Sequence, residues 1–208
     1  MNKLFIIGLP RTGTTSISVA LLEHFKVAHT CYTKRAFELA DVISDCPCFS
    51  DYRQLDALFP QSKFVYLQRS LDQWLPSIQM LLNKMLPSLN SVTYVNPILK
   101  RSFGQIFDLS NVADPLEETH LKTCYESHKQ GVLDYFHGRD NILNININQA
   151  DSLSQLLDFL NIQHSGDTLF PHLNIGKLVD NWNDIKNIHK VNSHSAGREG
   201  RKFFDYHS

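Results

Sequence analysis

The chain has 208 residues, 42% hydrophobic and 20% charged, with a formal net charge of −1. That length suits one domain spanning residues 1–208 with a substantial core, and the balanced charge argues against a nucleic-acid surface or a membrane-attracted face. No apolar run approaches the roughly 20 residues needed to span a bilayer, and no leader-like segment opens the chain, so a cytoplasmic protein is expected.

Residues 4–7 (LFII) form an apolar run too short for a helix and bounded by Gly8, which fits a buried parallel strand. The next stretch, Gly8 to Thr15 (GLPRTGTT), has the spacing of a phosphate-binding loop, G-x-x-x-x-G-K-S/T, with Thr14 where lysine is usual. Gly13 lets the backbone approach a phosphate, and the amides opening the following helix point at the anion. Arg11, three residues before Thr14, supplies a planar fork of donors in place of the lysine. Loss of the lysine argues against an ordinary ATPase or GTPase.

Ile17, Ala20, Leu21, Leu22 and Phe25 have the spacing of the helix that receives the phosphate. A short second strand is expected over 26–30, a helix over 34–44, a strand or strand exit over 45–49, and a brief helix over 52–59 ended by Pro60. Residues 63–68 (KFVYLQ) are the clearest later strand. A long helix over 71–86 carries the stripe Trp74, Ile78, Leu81, Leu82 and Met85, read as core, and is expected to stop at Pro87. Residues 87–115 read as an irregular insertion. Helices follow over 116–137 and 153–160, with an alternating edge-type strand over 141–147 between them. Residues 169–174 read as a loop, 177–191 as helical or partly so, and 192–208 as a polar, basic tail. Strands alternating with helices imply an α/β fold, a three-layer parallel sheet with helices on both faces. The four cysteines, Cys31, Cys46, Cys48 and Cys124, make no C-x-x-C pair and are expected to be free thiols. His29 and His172 read as structural residues.

A second motif completes the first. Arg69 follows the strand over 63–68, and Ser77 lies eight residues later on the next helix. Ligands of open parallel sheets bind beyond the strands' carboxyl ends, which puts Arg69 beside the Gly8–Thr15 loop. Together GLPRTGTT and Arg69–Ser77 resemble the two cofactor motifs of the sulfotransferase family, P-K/R-S/T-G-T-T and a strand-end Arg with Ser at +8. Asp45, Cys46 and Pro47, then Leu55 and Asp56, then Phe59, Pro60, Lys63 and Phe64 are similar to a bacterial branch of that family, as are residues 158–160 and 170–174.

The resemblance implies a P-loop fold and transfer of a sulfuryl group from 3′-phosphoadenosine 5′-phosphosulfate (PAPS), with no metal expected. It assigns Arg11 to the bridging and sulfuryl oxygens, Thr12, Gly13, Thr14 and Thr15 to the 5′-phosphate, and Arg69 and Ser77 to the 3′-phosphate. It offers two bases: Asp45, placed like the His of a His-x-Pro segment, and Glu38, placed like the glutamate of a glycan-modifying branch. The implied acceptor is a hydroxyl or amine of a small molecule or glycan. Two departures stand out. Ser16 and Ile17 replace an adenine-stacking tryptophan, and the 197–202 segment only loosely matches a basic closing segment. A nucleotide kinase or NTPase with a degenerate loop, and a non-catalytic nucleotide-binding module, are the alternatives.

Overall fold

The computed structural model describes residues 2–91, 95–165, 170 and 182–196. Five strands, β1 (Leu4–Ile6), β2 (Val27–His29), β3 (Val42–Ser44), β4 (Lys63–Leu67) and β5 (Ile142–Ile145), pair in the order β2-β3-β1-β4-β5. Every pairing is parallel. Among the described residues the helices are α1 (Thr14–Leu21), α2 (Lys34–Leu39), α3 (Cys48–Leu58), α4 (Leu71–Leu89), α5 (Pro97–Phe107), α6 (Glu118–Tyr135) and α7 (Ser152–Phe159). None of the described helices is long and apolar enough to cross a membrane.

Alternation along the strands divides the core. Phe5, Ile7, Ile43, Phe64 and Tyr66 pack on one side with Phe37 of α2, Leu55 of α3 and Val132 of α6. Leu4, Ile6, Val42, Val65 and Leu67 face the other side, against Ile17 and Leu21 of α1 and Leu156 and Leu157 of α7. The successive side chains of a strand point to opposite faces, so a strand apolar at every position needs helices on both. That is the expected α/β architecture. A third cluster joins α4, α5 and α6 through Trp74, Leu82, Phe103, Phe107 and Leu121. Each fully buried side chain of this size contributes about 1.5–3 kcal/mol.

Four expectations are corrected. The helix expected over 34–44 ends at Leu39, because Ala40 turns extended and Val42–Ser44 is drawn into the sheet between β1 and β2. Tertiary pairing there overrides helical spacing. Pro87 does not stop α4, which continues to Leu89. Both Pro76 and Pro87 lie on its exposed face, where the carbonyls they leave unbonded reach water, while Leu89 extends the buried stripe. The 87–115 stretch is not irregular throughout, for it contains α5. The Asn96 side chain accepts from the Ile98 and Leu99 amides and Pro97 takes the first helical position, a start signal readable in the sequence. Within 177–191, residues 182–191 form turns and a single bridge from Lys190 to Val27 rather than a helix. The loop expected over 169–174 (apart from the buried Phe170), His172 and the tail beyond 196 lie outside the described residues. All four cysteines are free and buried.

One buried group predicts acid sensitivity. His128 of α6 lies between the rings of Tyr52 and Tyr66, at 6.2 and 5.9 Å. Its Nε2–H donates to the Phe49 carbonyl at 2.9 Å, and Nδ1 has no partner among the described residues. Burial lowers its pKa from 6.5 to about 4. The unfolded ring therefore takes up a proton as pH falls through 6.5, whereas the folded ring does so only near 4. Folding stability is expected to drop across that window by about 3 kcal/mol and to flatten below it. Urea unfolding from pH 7 to 4 checks this. A His128→Leu protein should lose the same increment of slope, and an unchanged slope refutes the assignment.

Candidate functional site

β1 lies between β3 and β4, and the segments leaving all three strands meet at the carboxyl end of the sheet. This is the crevice where open α/β sheets hold ligands. The chain leaves β1 through Gly8, where a Cβ would fall 2.6 Å from Leu67 Cβ and 2.5 Å from Thr12 Oγ1. Only hydrogen fits so close an approach. Arg11 (φ 72°) and Gly13 (φ 112°) then take left-handed backbone conformations that turn the chain into α1 at Thr14. A Cβ on Gly13 would also meet Ile147 Cδ1 at 2.2 Å, so the side chain beyond β5 lies directly against the loop. The amides of the first turn of α1 are directed back at this loop, carrying the positive end of the helix dipole.

Arg11 and Arg69 come together. The Arg69 Nη1–H donates to the Arg11 carbonyl at 2.8 Å, and the Arg11 Nε–H donates to Ser77 Oγ at 2.8 Å. Two motifs some sixty residues apart therefore touch directly. Ser77 accepts from Arg11, so its own hydroxyl proton is available to a further acceptor. Both guanidiniums are partly buried and their pKa values are held below the usual range. Burial is the main cause at each; at Arg11 the charge of Arg69 lowers it further and Asp45 opposes. The buried Arg69 Nε has no hydrogen-bond partner among the described residues. An unpaired buried donor on a charged group is costly.

Asp45 directly follows β3, with φ 59°, ahead of a cis Cys46–Pro47 bond. Aspartate tolerates that left-handed conformation better than most residues. Its Oδ2 accepts from Thr14 Oγ1 at 3.0 Å and its Oδ1 from the Cys46 amide at 2.8 Å. An ionised carboxylate offers about four lone-pair positions, so acceptor capacity remains. Thr15 contacts His29 Nε2 at 3.2 Å. Thr12 is buried, and both its amide and its hydroxyl bond the Leu9 carbonyl, at 3.2 and 2.7 Å. It braces the loop rather than facing outward.

Glu38 lies elsewhere. It is exposed on α2, paired with Arg35 at 3.2 Å, and its charge acts on Lys3, which precedes β1 at the opposite end of the sheet. Arg69, Arg11 and Ser77 are thus linked by direct contacts and Thr14 and Asp45 by another, with the Asp45 charge acting on Arg11, and Glu38 is in neither set.

Two supports escaped the sequence. Trp74 is fully buried, as expected for core, but its Nε1–H also donates to the Pro10 carbonyl at 2.9 Å. The Tyr125 hydroxyl donates to the Arg69 carbonyl at 2.6 Å, and the two rings pack 5.0 Å apart. One aromatic pair therefore holds the backbone of both motifs. Nothing in the sequence ties a tyrosine in α6 to a carbonyl more than fifty positions earlier.

A family model described as a sulfotransferase domain matches residues 25–179, most of the chain. The match includes Asp45, Arg69 and Ser77 and begins after the Gly8–Thr15 loop. No curated protein matches the chain.

Proposed function

The chain belongs to the sulfotransferase family, and from that membership we propose that it moves a sulfuryl group from PAPS to a hydroxyl or amine of a small molecule or glycan. We read residues 1–208 as one catalytic domain acting in the cytoplasm. The observation that carries the donor assignment is the contact of Arg11 with both Arg69 and Ser77, with Arg69 Nε left unpaired beside them. A donor with anionic groups at two positions needs two cationic sites held at a set separation, and these residues supply them from separate motifs.

The donor supplies a sulfuryl group joined to its 5′-phosphate through one oxygen. Gly13, Thr14 and Thr15 cradle that phosphate with loop amides. Thr12 keeps the loop closed. Arg69, with the hydroxyl of Ser77, takes the 3′-phosphate. Arg11 neutralises the bridging oxygen as its bond to sulfur breaks and the new bond to the acceptor forms, an electrostatic contribution made without a metal. Asp45 removes the acceptor's proton. Hydrogen bonds to Thr14 and Cys46 hold its half-buried carboxylate at the strand end, as a general base requires.

One observation favours a second reading. An Asp at a strand end beside the loop is also how P-loop NTPases place a magnesium ligand, although Asp45 bonds Thr14, at the lysine position, and not Thr15, at the Ser/Thr position. Calorimetric titration with adenosine 3′,5′-bisphosphate and, separately, with ATP and magnesium decides between them. Micromolar binding of the bisphosphate, with ATP–magnesium weaker, is the expected result. Tighter binding of ATP–magnesium, or its hydrolysis, overturns the sulfotransfer assignment in favour of the NTPase.

A further inference from the structure

The loop and the Arg69–Ser77 segment are closed into a ring by two side chains that belong to neither motif. Trp74, in the first turn of α4, donates its Nε1–H to the Pro10 carbonyl at 2.9 Å, and its amide donates to the carbonyl of Ser70, directly after Arg69. Its ring lies 5.0 Å from that of Tyr125, whose hydroxyl donates to the Arg69 carbonyl at 2.6 Å. The Arg69 Nη1–H completes the circuit at the Arg11 carbonyl, 2.8 Å away. Pro10 and Arg11 are consecutive, so the circuit runs from the loop to α4, across to α6, back to the end of β4 and into the loop again. Every hydrogen bond in it has a settled direction, because each acceptor is a backbone carbonyl and can only accept.

Packing makes the circuit stiff. Trp74 is fully buried and Tyr125 is buried beside it, in one cluster with Leu82, Phe103 and Leu121. Side chains packed at that density cannot be displaced singly without opening a void. Burial also raises the Tyr125 pKa above its ordinary value, so the hydroxyl remains a donor through the neutral range.

A stiff circuit fixes a separation. A ligand with two phosphates gains from its second contact only where both sites already stand at the spacing of its own groups; otherwise ordering the sites consumes the gain. We propose that Tyr125 and Trp74 are positioning residues that hold the loop and the Arg69–Ser77 pair at a set separation, making the crevice selective for a nucleotide phosphorylated at both the 3′ and 5′ positions over one phosphorylated at either alone. The inference rests on the two phosphate sites proposed above. It goes beyond them in placing the selectivity for two phosphates in residues that touch neither.

The test is titration of the wild-type, Tyr125→Phe and Trp74→Phe proteins with adenosine 3′,5′-bisphosphate by calorimetry and with 5′-AMP and 3′-AMP by NMR to millimolar concentration. Tyr125→Phe keeps the ring and removes one hydroxyl. Bisphosphate affinity should fall about tenfold, the scale of one hydrogen bond, while each mononucleotide stays within about twofold. Trp74→Phe opens the same circuit from the loop side and should repeat the pattern, which gives a second reading where one variant folds poorly. Tyr135→Phe is the control. It removes a hydroxyl at the carboxyl end of α6, bonded to Asp56 at 2.8 Å, so urea stability should fall with the selectivity unchanged. Unchanged selectivity in Tyr125→Phe and Trp74→Phe, a loss shared equally by the bisphosphate and a mononucleotide, or the same loss of selectivity in Tyr135→Phe overturns the positioning role and leaves the functional assignment standing. No bisphosphate binding by the wild-type protein overturns both.

Discussion

Asp45→Asn is expected to slow sulfuryl transfer about 10²- to 10⁴-fold, the usual contribution of a positioned general base, while changing bisphosphate affinity by no more than about threefold. The substitution keeps size and shape. The asparagine oxygen can still accept from the Cys46 amide, and its NH₂ group can face Thr14 Oγ1, whose proton is then released toward the loop. What is lost is the capacity to take a proton from the acceptor. Transfer of labelled sulfate from PAPS across an acceptor panel, with calorimetry on the same preparations, separates the two effects. Glu38→Gln is the companion measurement. Its side chain is exposed, paired with Arg35 and remote from the loop, so transfer should be unchanged. A large loss in Glu38→Gln with none in Asp45→Asn would reverse the assignment of the base.

Arg69→Ala should weaken bisphosphate binding about 10²- to 10³-fold and 5′-AMP binding far less. Two hydrogen bonds from a charged group, at about 1.5–3 kcal/mol each, account for a loss of that size. Arg69 also donates to the Arg11 carbonyl, so some disturbance of the loop is expected with either nucleotide. The difference between the nucleotides isolates the 3′-phosphate. Arg69→Lys should not restore affinity, because a single ammonium on a flexible stem cannot reproduce a fork that holds a carbonyl and a phosphate together. Equal losses for bisphosphate and 5′-AMP would reduce Arg69 to a support for the loop.

The loop after β1 was legible for a local reason. Gly8 and Gly13 stand where a side chain would strike Leu67 or Ile147, and such backbone demands leave a fixed spacing in the chain. Arg69 was legible because a strand end in a parallel sheet has a known destination. The errors have a common origin too. Residues 34–44 carry apolar spacing that a helix can satisfy, yet Val42–Ser44 gains more by pairing with both β1 and β2. Pro87 reads locally as a stop, but burial of Leu89 carries α4 past it. The Asn96–Pro97 start of α5 is a local signal set amid polar residues that read as irregular.

The chain by itself determined the alternating α/β order and the Gly/Thr loop after β1, since each depends on neighbours close in sequence, and the meeting of that loop with Arg69 followed from where the ends of parallel strands lie. Tertiary structure alone decided the rest. It brought Asp45 rather than Glu38 to the loop and set Trp74 and Tyr125 to hold the two motifs. Those contacts join β3, α4 and α6 across the carboxyl end of the sheet. Which polar groups meet between distant segments follows from the packing of the helices on the sheet, and no local pattern of residues records that.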